Sequence, residues 1–241
     1  MFAAGDRPAR DAVVALAERN YGFAISLDPA VETGAGGDHD AGDWLELITN
    51  GLTFDLTGLA PGKPAPLPPE GPLYCFDERL EAPRLEAVAL QTGPHLTGGA
   101  TMLPVVRTLA WLAAQLTELP GVRAVAWQPA RCWCDPTHFR TSVLRWIEGG
   151  PFPGLGLASL APMPDGGLQS QGLALFAGQE VRLEPELIED RAAGAKVALR
   201  LMHWLAEHGK LTGEERLTGP DGQPLRVEPS SNGRFVRAWR G

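Results

Sequence analysis

Val122-Arg123-Ala124-Val125-Ala126-Trp127-Gln128-Pro129-Ala130-Arg131-Cys132-Trp133-Cys134-Asp135-Pro136-Thr137-His138-Phe139 decides how this chain is read. Val122 to Trp127 is apolar but for Arg123 and holds two valines and a tryptophan, which predicts a strand. Asp135-Pro136 predicts a helix start, because a carboxylate accepts from first-turn N–H groups and proline fits the first helical position. That helix runs through Phe139, Val143, Trp146 and Ile147, and Gly149-Gly150 ends it. The junction at 127–139 holds two of three cysteines, two of seven tryptophans and one of five histidines. Ligands collect at such strand-to-helix passages in α/β sheets.

Working outward, Leu85 to Leu90 reads as a strand closed by Gln91-Thr92-Gly93-Pro94. Thr101 is the expected cap of a helix burying Met102, Val105, Val106, Leu109, Leu112, Ala113 and Leu116. Pro104 is tolerated in its first turn, and Pro120-Gly121 stops it. Leu155 to Leu160 completes a β-α-β-α-β block. The expected class is α+β, with a mixed or mostly antiparallel sheet and helices packed on it.

Residues 9–20 predict a helix with Ala9, Ala12, Val13, Leu16 and Ala17 on one face. Tyr21 to Leu27 reads as a strand, and residues 32–43 as a Gly- and Asp-rich loop. Trp44–Thr49 and Leu52–Leu56 flank Asn50-Gly51, a hairpin signal because both turn positions need positive φ. Residues 60–72 are a proline-rich connector, and Leu73 to Asp77 a short strand. Leu168–Phe176 and Gln179–Leu183 predict a hairpin. A helix from Pro185 to His208 carries a stripe of Ile188, Ala192, Ala195, Ala198, Met202 and Leu205. Leu217 to Val227 closes with a hairpin at Pro220-Asp221-Gly222. The whole reads as one domain over 1–241, with 1–72 as an N-terminal subdomain or wrapping arm.

A chain of 241 residues that is 44% hydrophobic buries a sizeable core. The formal charge of −8 argues against general nucleic-acid or anionic-membrane binding. Arg234, Arg237 and Arg240 are the one basic cluster, expected on an edge strand or frayed end. No apolar run reaches the roughly eighteen residues that a span needs. The N-terminal residues hold no secretory leader pattern, and three cysteines make no disulfide framework. A reducing cytoplasm is the expected home.

Cys132, Cys134 and His138, with Asp135, hold ligand types for zinc, but Cys-x-Cys is a poor chelate pair and no second pair exists. Cys134 precedes the helix cap, where amides and the helix dipole favour a thiolate, and His138 could serve as its base. Packing at the helix start explains the same residues, since cysteine is among the most buried types. Cys75 reads as a core filler. Asp38-His39-Asp40 lies in a loop with no anchor, and His95 follows a strand end. Gly98-Gly99-Ala100-Thr101 enters a helix N-terminus without the lysine of a nucleotide loop. Ser170 lacks the nucleophile-elbow setting. Glu180, between a turn and a strand, could be a general acid or a ligand.

The run Gly172 to Leu183, with Ala126-Trp127-Gln128-Pro129-Ala130 and Gly154-Leu155-Gly156-Leu157, resembles a bacterial family known only as a domain of unknown function. The resemblance covers residues 85–205, and Gln128 and Cys132-Trp133-Cys134 depart from its pattern. Some members lie beside immunity or toxin genes, which implies protein binding rather than catalysis. The combined expectation is a protein- or small-ligand-binding module, monomeric or homodimeric, without cofactor or metal. Its candidate residues are Trp127, Arg131, Cys132, Trp133, Cys134, His138 and Glu180. The alternative is a cysteine/histidine enzyme centred on Cys134 and His138.

Overall fold

The computed structural model describes residues 1–19, 22–29, 44–77, 80 and 84–241. The fold is α+β, with mostly antiparallel sheets and helices packed on them. Its residues group into two compact units, Met1–Ala126 with Trp133–Glu148 and Trp127–Cys132 with Gly149–Gly241. Among the described residues, no helix is long and apolar enough to cross a membrane. The expected loop at 32–43, Tyr21 and the Asp38-His39-Asp40 run lie outside the described residues.

The first unit begins with β1 (Phe2–Ala3), α1 (Arg10–Arg19), β2 (Ala24–Leu27), β3 (Trp44–Thr49) and β4 (Leu52–Thr57). It continues with β5 (Leu73–Tyr74), β6 (Leu85–Glu86), β7 (Ala89–Thr92) and α2 (Leu103–Leu116). The chain then passes through β8 (Val125–Trp127) and β9 (Cys132–Cys134) into α3 (Pro136–Ile147). A four-stranded sheet has the order β2-β3-β4-β7. Leu45, Leu47, Phe54 and Leu56 alternate onto its buried face, the period-two pattern of a half-covered strand. Val13 and Leu16 of α1 and Leu112 and Leu116 of α2 join the same core. Each such side chain contributes roughly 1.5–3 kcal/mol on burial.

The hairpin forms as the turn chemistry dictates. Thr49 faces Leu52, and Asn50 and Gly51 sit at φ 52° and 73°. Three local expectations shift. α2 starts at Leu103, and Thr101 makes no cap; Met102 holds the cap position with no side-chain bond and is 60% exposed. The strand expected over 85–90 divides into β6 and β7. Cys75 is exposed at φ 63° instead of filling the core.

The second unit holds β10 (Ser159–Pro162), β11 (Leu168–Gln171), α4 (Ala174–Ala177), β12 (Glu180–Leu183) and α5 (Arg191–His208). After these come β13 (Glu215–Thr218), β14 (Pro224–Pro229) and β15 (Phe235–Arg240). They form a six-stranded sheet in the order β10-β11-β12-β15-β14-β13. The tail is thus neither an edge strand nor frayed. β15 lies between β12, which it pairs in parallel, and β14, and buries Val236 and Ala238. Its arginines meet acids: Arg237 Nε donates to Glu184 at 2.7 Å, and Arg240 reaches Glu189 at 3.0 Å.

Residues 154–157 turn rather than extend, with Gly156 at φ 120°, so the third strand of the block begins only at Ser159. The predicted hairpin of β11 and β12 forms, but α4 interrupts the run expected to extend to Phe176. α5 starts later than expected, after a short 3-10 turn at Pro185–Leu187, and Asp190 accepts from Ala192 N and Ala193 N at 2.8 and 3.2 Å. Its buried face is Gly194, Val197, Ala198, Leu201, Met202 and Leu205, so Ala192 of the expected stripe is exposed.

One cross-strand pair works against the first unit. Glu46 and Asp55 stand directly opposite on β3 and β4. Among the described residues, Asp55 Oδ1 is buried with no hydrogen-bond partner. Burial, then Glu46, hold its carboxyl above the ordinary carboxylate range, against a smaller opposing pull from His95. A raised folded value means that ionised Asp55 costs stability at neutral pH, and the cost is relieved as pH falls through that value. Asp55→Asn should therefore stabilise the protein at pH 7 by about 0.5 kcal/mol. The gain should shrink on acidification, as read by thermal unfolding from pH 7 to pH 4; a loss of stability at pH 7 would refute this.

Candidate functional site

At the junction the sequence-read helix start holds. Asp135 Oδ1 accepts from His138 N at 2.8 Å, and Pro136 opens the helix. Phe139, Val143 and Trp146 are the buried face of α3, and the His138 ring is exposed. Cys132, Trp133 and Cys134 are 1%, 2% and 1% exposed. Trp133 belongs to a cluster with Ala124, Leu85 and Phe76 in the first unit. Cys134 pairs in parallel register with Tyr74.

In the second unit, Cys132 Sγ donates to Gly156 O at 3.5 Å, and burial pushes its thiol up to about 12. It supplies no thiolate at neutral pH. Trp127 is 6% exposed and stacks on Phe176 with ring centroids 6.4 Å apart. Arg131 is exposed at φ 49°, ending the short turn Gln128–Ala130. Ser159 Oγ fastens that turn by donating to Ala130 O at 2.6 Å. Gly172 packs on the same turn: a Cβ there would lie 2.9 Å from Ala130 N and Cα.

Among the described residues, no group of three or more His, Cys, Asp or Glu could hold a metal. The zinc ligand types of the junction therefore do not assemble. All three cysteines are free, and Cys75 is the exposed one. A thiol reagent should label about one cysteine per native chain within minutes and all three after denaturation. Cys75→Ser should remove the fast phase; fast labelling of Cys134 in that variant would show an accessible junction thiol.

Glu180 does a different job from the acid or ligand its position suggested. Its carboxylate accepts from Ser170 Oγ at 2.5 Å, Gly172 N at 2.9 Å, Ala174 N at 3.1 Å and Leu173 N at 3.2 Å. Ser170 Oγ in turn accepts from Val181 N at 2.8 Å. The carboxylate satisfies the amides that open α4. Gln179 beside it is fully buried, donating to Leu211 O and Gly233 O and accepting from Leu211 N. Glu180→Gln turns one acceptor into a donor aimed at donors. It should cost about 2–3 kcal/mol, measured by denaturant unfolding, and a cost below about 0.5 kcal/mol would remove this role.

The remaining histidines and Ser170 that the structure describes have separate settings. His95 is exposed on the Pro94–Leu96 turn. His203 Nδ1 accepts from Phe152 N at 3.2 Å, and the His208 ring stacks on Trp204. Ser170 is 1% exposed and committed to Glu180.

What the sequence reading missed is an open groove of about 520 Å³ in the first unit, lined by Asn50, Leu103, Pro104, Arg107, Thr108, Trp111 and Ile147. Leu103, Arg107 and Trp111 follow one another at i, i+4 and i+8, so α2 sets them on one face. Pro104 and Thr108 flank that stripe, and Thr108 Oγ donates to Pro104 O at 2.8 Å. Asn50 comes from the hairpin turn and Ile147 from the end of α3. Arg107 Cζ lies 4.6 Å from the centroid of the Trp146 ring, and its Nη2 donates to Ile147 O at 3.5 Å. The sequence carried no signal for it: Met102 was expected on the buried face, and its 60% exposure and the 38% of Leu103 are visible only in the fold. No protein-family model, curated protein or solved structure matches this chain.

Proposed function

We propose that this chain is a ligand-binding module and that the groove on α2 is its site. One observation carries the proposal: a concave surface of about 520 Å³ whose apolar walls surround a few polar groups. Sites for small molecules have roughly 300–1,000 Å³ and this mixture of lining. Leu103, Pro104, Trp111 and Ile147 supply the apolar walls, and Arg107, Thr108 and Asn50 supply orientation. The burial of Cys132 and Cys134 gives the cysteine/histidine reading no support.

A fragment screen read by amide and indole NMR shifts tests the proposal. Shifts should cluster at Leu103, Arg107, the Trp111 indole and Ile147. Thr108→Trp fills the groove from the exposed side of α2, and should abolish those shifts while moving the thermal midpoint by no more than about 2 °C. Shifts that cluster elsewhere, or that survive Thr108→Trp, would sink it.

A further inference from the structure

We infer that the groove takes a small organic monocarboxylate with a flat apolar body, its carboxylate on Arg107 and its body along Leu103 and Trp111. This rests on the groove being the binding site and adds the class of ligand.

The argument starts from Arg107. A guanidinium has five N–H donors in a plane, in a fork that matches a carboxylate. In this protein its Cζ lies over the Trp146 ring, 4.6 Å from the centroid. One N–H reaches Ile147 O at a long 3.5 Å. Among the described residues, no carboxylate pairs with Arg107, although Arg7, Arg10, Arg140, Arg182, Arg237 and Arg240 each have one. The contact with Trp146 and the bond to Ile147 restrain the guanidinium, so less freedom is lost when an anion docks. The donors that remain are left to the groove and solvent.

Charge then selects the ligand. Among the described residues that line the groove, Arg107 is the only one with an ionised side chain. One cation between apolar walls balances one negative charge. A phosphate monoester carries −1.5 to −2 near neutral pH, which would leave charge uncompensated against Leu103 and Ile147. A polyanion would also meet the field of a chain at net −8. The indole of Trp111, one helical turn beyond Arg107, offers a flat apolar face for a ring.

Calorimetric titration with naphthalene-2-acetate and with its neutral amide tests this class. The acid should bind at least ~10-fold tighter than the amide, since an ionised acceptor roughly doubles the strength of such bonds. Arg107→Gln should bring the two probes to equal affinity. Asn50→Asp keeps a residue type that tolerates the left-handed turn and leaves Arg107 on Trp146. It adds a negative charge to the groove, and should weaken the acid about threefold while leaving the amide unchanged. Equal binding of acid and amide by the unaltered protein would overturn the monocarboxylate class and leave the groove standing as a site. Binding of neither probe would overturn both. Preferential acid binding that survives both substitutions would place the anion elsewhere and overturn the inference.

Discussion

A helix leaves its first amides without internal partners, and this chain is built around how those amides are met. At α3 the acceptor is Asp135, from the residue just before the helix. At α5 it is Asp190, again local, serving Ala192 and Ala193. At α4 it is Glu180, which lies after the helix and reaches back to Gly172, Leu173 and Ala174. α4 is a single turn and could not stand alone, since nucleation costs more than one turn returns. The Glu180 carboxylate, with Ser170 between it and Val181, fastens that turn between β11 and β12.

The same contrast separates what could be read in the sequence from what could not. Asp135-Pro136 is a local signal, and the helix it announces is present. Asn50-Gly51 is local too, and the hairpin has the expected turn with Thr49 opposite Leu52. Thr101 had the right chemistry for a cap, but a turn at 99–102 places Met102 in the cap position. β15 could not be placed, because its two neighbours are set by long-range pairing and its arginines imitate a solvated edge. Glu180 was singled out for its position, but its four donors come from residues six to ten places earlier, and no spacing rule links them.

The junction was conspicuous by composition, and burial accounts for that composition. β9 is three residues, all buried. A strand covered on both faces has no polar alternation and favours compact apolar side chains. Cysteine and tryptophan satisfy that condition without any chemistry. Cys132 shows the consequence: a thiol held against Gly156 O has lost the ionisation that would make it a nucleophile. Reactive thiols need the opposite surroundings, partly exposed and electropositive.

Asp135 nevertheless acts on the proposed site at one remove. By satisfying the amide of His138 it fixes where α3 begins, and the helical repeat then fixes where Trp146 and Ile147 fall, just over three turns later. Trp146 is the ring over which Arg107 lies, and Ile147 supplies both a wall of the groove and the carbonyl that Arg107 meets. On the other side, Asn50 enters the groove only because β3 and β4 close through a turn with positive φ. The groove is therefore set by two local backbone signals, a cap and a turn, brought to α2 by the core that α1, the four-stranded sheet and α2 share. Its one charge is held by an aromatic ring instead of a carboxylate. An internal ion pair would have used up the fork, whereas the contact with the Trp146 ring leaves Arg107 without a paired carboxylate among the described residues.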